Sequence, residues 1–451
     1  MGAFHAYDIR GVYNVDFDKD VAYKVGYFLP ELLSADKVLV GRDARVSSDE
    51  IHEWLLKGIT DAGADVYDAG LCTTPMVYFG TAFYGFKASV QITASHNPAE
   101  YNGMKVSREN ALPVGYDTGL GQIKEWIEAG RECPVAEKRG EVHQIDVRKD
   151  YLPFLLKYKE DWSGLKIAMD VSNGMASLFV HEIFGDEPAY IYDNMDGTFP
   201  NHEPNPLVPK NVVDLQKLVA ATKADIGIIF DGDADRVMFV DENSRFISPD
   251  LMIAVLGHYF LEERGEKGYI HQDIRSSKAV GEYLAPMGGV MNTWRVGRAY
   301  AALKLRELDG VYGGELAGHY YFRDFFYSDS GLLAAILIVN VAAKMKAQGV
   351  SLSQLIGRIE KYQNSGEINF RLEDKKGAMD AVRDYFMQKE KSTAYMDFDG
   401  YRVEFPDWWF NIRPSNTEPY LRFICEATSK ELLDEKVAKV REILTDQFGA
   451  K

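Results

Sequence analysis

Lys37-Val38-Leu39-Val40-Gly41-Arg42-Asp43 leads into Ser47-Ser48-Asp49-Glu50-Ile51 and, past Gly63, into Asp65-Val66-Tyr67-Asp68. The apolar run predicts a strand over 37–40. Ser47 and Glu50 stand at capping-box spacing, Ile51, Trp54, Leu55 and Ile59 then share one helical face, and Gly63 closes the helix before a strand over 65–68. That is a βαβ unit, and its signals recur twice. One repeat has a strand over 165–169, the turn Ser172-Asn173-Gly174, a helix from about Met175 and a strand over 189–192. The other has a strand over 269–271, a helix over 276–284 and a strand over 290–294. Three such units predict α/β domains with parallel or mixed sheets, largely parallel, and helices on both faces. Alternating strands over 367–371, 401–405, 408–412 and 421–426, with helices over 377–389 and 430–447, predict a separate α+β domain. The expected division is 1–150, 151–250, 251–365 and 366–451, in keeping with roughly 100–200 residues per domain.

Composition narrows the class of function. Hydrophobic residues at 46% and charged ones at 26% describe a soluble globular protein. Sixty-eight acidic against 51 basic residues give a formal charge of −17, which repels nucleic acid and anionic membranes. A phosphate ligand then requires Arg and Lys to converge locally against the global sign. Cys72, Cys133 and Cys425 are odd in number and lack C-x-x-C spacing, so neither a disulfide framework nor a zinc site is expected. No basic start precedes an apolar run and no stretch offers 18 apolar residues, so a cytoplasmic protein without a membrane span is expected. Gly2 does not make a myristoylation signal, because Ala6 stands where that motif needs Ser or Thr.

Four loops carry chemistry. Asp231, Asp233 and Asp235 follow the β-branched run 226–230 in D-x-D-x-D spacing, so alternate residues of an extended loop can present three hard oxygen ligands to one Mg²⁺ or Ca²⁺. An EF-hand competes, since Glu242 falls at the twelfth position. Against it, Arg236 occupies the sixth position, where Gly is needed, and the flanks read as strands. Thr93-Ala94-Ser95-His96-Asn97-Pro98 puts a hydroxyl in a turn that exposes Ser95, or merely stabilises the turn through the Ser and Asn side chains. The G-x-S-x-G elbow of a hydrolase is absent around it. Arg413-Pro414-Ser415-Asn416-Thr417-Glu418-Pro419 offers a guanidinium, two hydroxyls, an amide and consecutive N–H groups, enough to cradle a phosphate. Gly313-Gly314-Glu315-Leu316-Ala317-Gly318-His319 presents a carboxylate and an imidazole suited to vicinal sugar hydroxyls, though a Gly-rich turn with a surface Glu has the same sequence.

In this order, the four loops resemble the α-D-phosphohexomutase family, and most closely its bacterial phosphomannomutase/phosphoglucomutase members. The resemblance spans nearly the whole chain, from Ala6-Tyr7-Asp8-Ile9-Arg10-Gly11 through Gly41-Arg42-Asp43-Ala44-Arg45 and Tyr101-Asn102-Gly103-Met104-Lys105 to the R-P-S-N-T-E-P loop. It implies four domains around a central cleft: three related α/β domains and a C-terminal α+β domain. It implies that Ser95 carries a phosphate, that Asp231, Asp233 and Asp235 hold Mg²⁺ together with an oxygen of that phosphoserine, and that Glu315 and His319 bind the sugar. Arg413, Ser415, Asn416 and Thr417 would hold the non-reacting phosphate. Lys105, His96 and Arg10 match positions near the reacting phosphate, with the general acid and base open among them. Tyr7, Arg236, Arg275, Arg298 and Lys278 are further candidates for the lining. The implied reaction interconverts hexose 6-phosphate and hexose 1-phosphate through a 1,6-bisphosphate that also serves as activator, with hinge motion near residue 365.

Two departures stand out: Ala317 where the family usually has Ser, and Arg298 where many relatives have His. Arg298 can bind phosphate but cannot shuttle a proton near neutral pH. Mannose and glucose differ at carbon 2, which a glutamate on carbons 3 and 4 does not read, so the sugar stays open, as does oligomeric state. Phosphoglucosamine mutase, a non-catalytic sugar-phosphate binder and a phosphatase are the alternatives. Asn416 argues against the first, where Gly is usual.

Overall fold

Lys37–Arg42 is a strand whose Val38, Leu39 and Val40 are all buried, because it lies inside a six-stranded sheet between Asp65–Leu71 and Ala88–Ile92, parallel to both. The computed structural model describes residues 2–415 and 420–450. The helix Ser48–Asp61 connects the first two strands, as its apolar face requires. The expected capping box does not form, since Ser47 makes no side-chain cap bond. Buried Asp43 takes the local donors in its place: Ser48 Oγ donates to it at 2.5 Å, and Asn102 Nδ2 donates to Ser47 and Ser48 at 2.9 and 3.0 Å. A buried carboxylate without donors costs more than an uncapped helix end, so tertiary demand overrides the local motif.

The second sheet runs Phe246–Ile247, Val237–Asp241, Ile226–Phe230, Ile167–Asp170, Ala189–Ile191, and the third Gly289–Trp294, Gly268–Asp273, Tyr312–Gly314, Tyr320–Phe322, Ser328–Asp329. All three sheets are mixed. In each, a parallel core is followed at one equivalent place by an antiparallel return strand, which itself pairs antiparallel with an edge strand. Those hairpins are Ala88–Ile92 with Tyr101–Arg108, Ile226–Phe230 with Val237–Asp241, and Tyr312–Gly314 with Tyr320–Phe322. Their connecting loops carry Ser95, the three aspartates, and Glu315 with His319. An equivalent loop at the C-terminal end of a parallel strand is where α/β sheets place ligands.

The fourth sheet is antiparallel, with Tyr420–Ala427 central between Trp408–Pro414 and the short strands Gln363–Asn364 and Ile368–Arg371, and with helices Lys375–Lys389 and Lys430–Phe448 packed on it. One apolar core joins the second and third sheets, with Tyr151, Ile228 and Tyr312 among its members. Through it runs Gly331–Ala347, buried on every side from Gly331 to Ala342 and polar at its last turn, where Lys344 and Lys346 reach outward. No single described helix is long and apolar enough to cross a membrane. This helix and Leu352–Ile359 pass that test together, by length and composition only, across a bend of 103°.

Candidate active site

Ser95 is 1% exposed, contrary to the expected exposed turn. The turn bends inward because one buried guanidinium collects its carbonyls. Arg45 donates from Nη2 to Ser95 O (2.9 Å) and Asn97 O (2.7 Å), and from Nη1 to Pro98 O (2.6 Å) and Tyr101 O (3.0 Å). Asp43 neutralises it at 3.1 Å. The left-handed φ of 51° at Ser95 is held by these bonds and by Thr93 Oγ1, which accepts from Ser95 N–H at 2.9 Å. Sequence reasoning quoted Arg45 but gave it no role. The carbonyls it gathers lie 50 to 56 positions away and leave no local signal.

Across the cleft, Asp231, Asp233 and Asp235 each bring a carboxylate oxygen within 4.8 Å of the others, all of them buried. They converge by a turn in which Ala234 adopts φ 63°, rather than by the alternation of an extended loop. Glu242 is elsewhere, accepting from Ser353 N–H at 3.1 Å, and the flanking strands form a hairpin, so the EF-hand is excluded. Asp233 Oδ2 accepts from Thr74 Oγ1 (2.5 Å) and Lys105 Nζ (2.7 Å), and Asp235 Oδ2 accepts from Lys105 Nζ (2.5 Å). Asp233 Oδ1 and Asp235 Oδ1 have no hydrogen-bond partner among the described residues. Orphaned buried oxygens in an all-carboxylate set fit a hard divalent cation. The electrostatics agree: burial, then Asp235 and Asp233, hold the Asp231 carboxyl well above its ordinary range. Burial lowers the Lys105 pKa, but Asp233 and Asp235 outweigh it and keep the ammonium protonated. Gly331 N–H, at the start of the buried helix, donates to Ala234 O at 3.1 Å and turns a partial positive charge toward the loop.

The two loops meet directly, with Ser95 Oγ donating to Asp231 Oδ2 at 2.9 Å. His96 Nδ1 lies 3.4 Å from Ser95 Oγ, and burial, then Arg236, Arg10 and Lys105, push its pKa well down, so the ring is neutral. The third loop completes the cluster. Glu315 accepts from Gly297 N–H (2.6 Å) and Tyr321 OH (3.0 Å), and lies 3.2 Å from His319 Nδ1. His319 Nε2 lies 3.5 Å from Asp235 Oδ1, 3.7 Å from Asp329 Oδ2 and 3.2 Å from Arg236 Nε. Burial and Arg236 pull the imidazole down, but Asp235 and Glu315 outweigh them and raise it to about 9. Burial raises Glu315, while His319 and Arg275 bring it down to about 2.

The other expected residues fall at graded distances from this centre. Arg10 donates from Nη1 to Asn97 Oδ1 at 2.8 Å, pairs with Asp8, and feels Asp233 and Asp235. Tyr7 donates to Val296 O at 3.2 Å. Arg275 donates to Asp273 Oδ1 at 3.0 Å and Oδ2 at 2.8 Å, and Oδ2 also accepts Leu316 N–H at 2.8 Å, so Arg275 supports the sugar loop from behind. Arg298, expected to line the substrate site, donates from Nε to Asp329 Oδ1 at 2.8 Å and from Nη2 to Ala111 O at 3.2 Å. Arg413 donates to Asp399 Oδ1 at 3.0 Å, and the other Asp399 oxygen accepts Val296 N–H at 2.9 Å, which brings the fourth sheet up to the third. Ser415 N–H donates to Tyr420 O at 2.9 Å. Asn416 and Thr417 lie outside the described residues. Asp329 and Tyr321, to which the sequence assigns no role, sit in the cluster as well.

Profiles of one family match the chain in four consecutive pieces. They are the alpha/beta/alpha domain I of phosphoglucomutase/phosphomannomutase over residues 1–132, domain II over 149–244, domain III over 248–362 and the C-terminal domain over 367–443. The chain is 37% identical over 456 residues to a phosphomannomutase of Salmonella montevideo, covering 98% of each. It is 36% identical over 457 residues to a phosphomannomutase of Escherichia coli strain K12, covering 99% of this chain and 98% of that one. Among solved structures it is similar to a phosphoglucomutase/phosphomannomutase family protein of Burkholderia thailandensis, at 30% identity and a TM-score of 0.87 over 98% of this chain and 97% of the other. With three equivalent hairpin loops bringing a serine, an acidic triad and a Glu–His pair into one cleft, and with sequence likeness running end to end, the chain belongs to the phosphoglucomutase/phosphomannomutase family and is a mutase of the isomerase class.

Proposed function

We propose that this mutase interconverts hexose 6-phosphate and hexose 1-phosphate, with mannose or glucose as the sugar, through a phosphoserine at Ser95 and a hexose 1,6-bisphosphate. The observation that carries the reading is the 2.9 Å contact of Ser95 Oγ with Asp231 inside the acidic triad. The name phosphomannomutase, borne by relatives alike over nearly their full length, supports mannose as one substrate.

Asp231, Asp233 and Asp235, with an oxygen on Ser95, would hold Mg²⁺, which supplies charge neutralisation to phosphate oxygens. In the first half-reaction a free sugar hydroxyl forms its bond to phosphorus as the Ser95 Oγ–phosphorus bond breaks. The hydroxyl proton passes by way of His96, the candidate held neutral and 3.4 Å from Ser95 Oγ, to that leaving serine oxygen. Lys105 and Arg10, held protonated, stabilise charge on the transferring group, and Arg236 stands beside Asp231 for the same task. Glu315 and His319 orient the sugar ring. The bisphosphate then turns end over end, and its other phosphate bonds to Ser95 Oγ while the bond to the sugar oxygen breaks and the serine proton passes back to that oxygen.

Arg413 and Ser415, with Asn416 and Thr417, would grip the phosphate that is not reacting in either orientation. Closing of the C-terminal domain on it would use remote binding energy to exclude water from the phosphoserine. Hexose 1,6-bisphosphate restores enzyme that has lost its phosphate, hence its part as activator.

The test is a coupled assay of mannose 1-phosphate, glucose 1-phosphate and glucosamine 1-phosphate with Mg²⁺ and a hexose 1,6-bisphosphate, on wild type, Ser95→Ala and His96→Ala. Turnover of mannose or glucose 1-phosphate that vanishes in Ser95→Ala is expected. Equal rates in Ser95→Ala and wild type would overturn the phosphoserine route, and preference for glucosamine 1-phosphate would move the substrate to amino sugars. Phosphate release without isomerisation would identify a phosphatase.

A further inference from the structure

Arg298 opens the helix Arg298–Glu307 behind the sugar loop, yet two of its three contacts reach the part of the chain that carries Ser95. Besides donating to Asp329 and to Ala111 O, its guanidinium lies 3.6 Å from the centre of the Tyr78 ring. Neighbouring contacts run the same way. Tyr7 donates to Val296 O and meets Tyr300 edge-on with ring centres 5.9 Å apart, and Arg306 Nη2 donates to Asn110 O at 3.1 Å. Residues 295–306 are therefore strapped onto residues 7, 78 and 110–111. Asn110 and Ala111 both adopt left-handed φ, 59° and 58°, and their carbonyls receive Arg306 and Arg298. Two successive non-glycine residues in that region persist only where the surroundings hold them.

The other end of the guanidinium bears on the reaction site. Asp329 is fully buried, and its second oxygen, without a hydrogen-bond partner among the described residues, faces His319 Nε2 at 3.7 Å. Asp235 shares that same imidazole at 3.5 Å. A buried carboxylate left without its cation is strongly unfavourable and would draw His319 toward itself, away from Glu315. Arg298 supplies the cation through its edge while its face rests on Tyr78. A planar, delocalised group can stack its face on the ring while its edge donates to both Asp329 and Ala111 O, a geometry that an ammonium does not reproduce.

We infer that Arg298 is a positioning residue: by holding Asp329 and strapping its helix to Tyr78 and Ala111, it fixes His319 and Glu315 relative to Ser95 and the aspartate loop. The inference rests on the proposed function for the reaction it serves, while the strap itself does not. A residue that acts through position lowers kcat with little change in KM, whereas a phosphate ligand raises KM.

The experiment compares wild type with Arg298→Met, Arg298→Lys and Asp329→Asn in the hexose phosphate assay, and follows amide hydrogen exchange over 108–114 and 295–306. Arg298→Met is expected to lower kcat by about tenfold or more while KM stays within about threefold, with faster exchange in both segments. Arg298→Lys should recover part of kcat, because it still neutralises Asp329, but leave exchange over 108–114 fast, since it loses the bond to Ala111. If Arg298→Met does not fold, Arg298→Lys and Asp329→Asn carry the same comparison. A rise in KM at constant kcat would overturn the inference in favour of a direct substrate contact, and unchanged kcat with unchanged exchange would overturn it outright. A wild type that turns over no hexose phosphate fails the functional reading, and the exchange data then still accept or reject the strap.

Discussion

Gly232 stands between two carboxylates of the triad, and a Cβ there would come within 2.4 Å of the Ser95 carbonyl oxygen. Backbone cannot yield as a flexible side chain does, so Gly232→Ala must push the aspartate loop off the serine loop. We expect kcat to fall by about a hundredfold or more, since sub-ångström placement governs phosphoryl transfer, with circular dichroism like that of wild type. Wild-type kcat in this variant would show that the contact between the two loops is dispensable. The orphaned oxygens of Asp233 and Asp235 lead to a prediction free of any assay of turnover. Millimolar Mg²⁺ should raise the unfolding temperature, because a cation bound only to the folded state stabilises it by mass action. EDTA should reverse the rise, and Asp231→Asn should abolish it. An equal rise in wild type and Asp231→Asn would place the cation elsewhere.

At the scale of elements, the helices Lys19–Leu33 and Ser48–Asp61 cross through two glycines. A Cβ on Gly58 would meet Tyr23 O at 2.0 Å, and one on Gly26 would meet Leu55 O at 2.3 Å. Helix propensity alone favours Gly58→Ala by about 1 kcal/mol. Overpacking against backbone costs about 1–3 kcal/mol or more, so the net sign is destabilising. Urea unfolding should show a lower midpoint for Gly58→Ala, and a higher one would mean that the two helices slide apart at little cost. Asp18 supplies the contrasting case, because its side chain does cap the first of these helices, accepting Val21 N–H at 3.0 Å. Asp18→Ala should cost about 1 kcal/mol and leave kcat unchanged. The two N-caps differ because the Asp18 carboxylate turns to Val21 N–H, whereas Ser47 Oγ accepts from Asn102 Nδ2 at 2.9 Å instead of from its own helix.

Across the whole molecule, the fourth sheet is fastened to the third through Glu426, which is buried and accepts from Ser277 Oγ (2.7 Å), Trp409 Nε1 (2.8 Å) and Asn364 Nδ2 (2.9 Å). Arg402 adds bonds to Ile274 O (2.9 Å) and Ser276 O (2.6 Å). Burial, then the nearby Asp250 carboxylate, push the Glu426 carboxyl up to about 7. The folded state therefore binds more protons than the unfolded one between pH 4.5, the ordinary glutamate value, and about 7. This group's stabilisation is full below the lower value and is lost as pH rises through the upper one, amounting to about 3 kcal/mol at most. Unfolding midpoints at pH 5 and pH 8 should differ more in wild type than in Glu426→Gln, which cannot titrate. An identical difference in both proteins would mean that Glu426 does not titrate in this range.

The sequence alone determined the four-domain α/β and α+β architecture and the chemistry of each loop. T-A-S-H-N-P, D-x-D-x-D and G-E-L-A-G-H are short runs whose residue types need only their neighbours to be read. Strand and helix periodicity is likewise a local property, so the elements at 37–68 and beyond residue 365 were legible. Only the tertiary structure decided how the runs meet. Ser95 is buried because Arg45 gathers its carbonyls, and it touches Asp231 across 136 positions, while Lys105 reaches Asp233 across 128. Contacts at such separations leave no periodicity or spacing behind. For the same reason nothing in the sequence hinted that Asp329, Ala111 and Tyr78 would surround Arg298: a guanidinium's partner is chosen by the fold, through burial and the charges that burial strands.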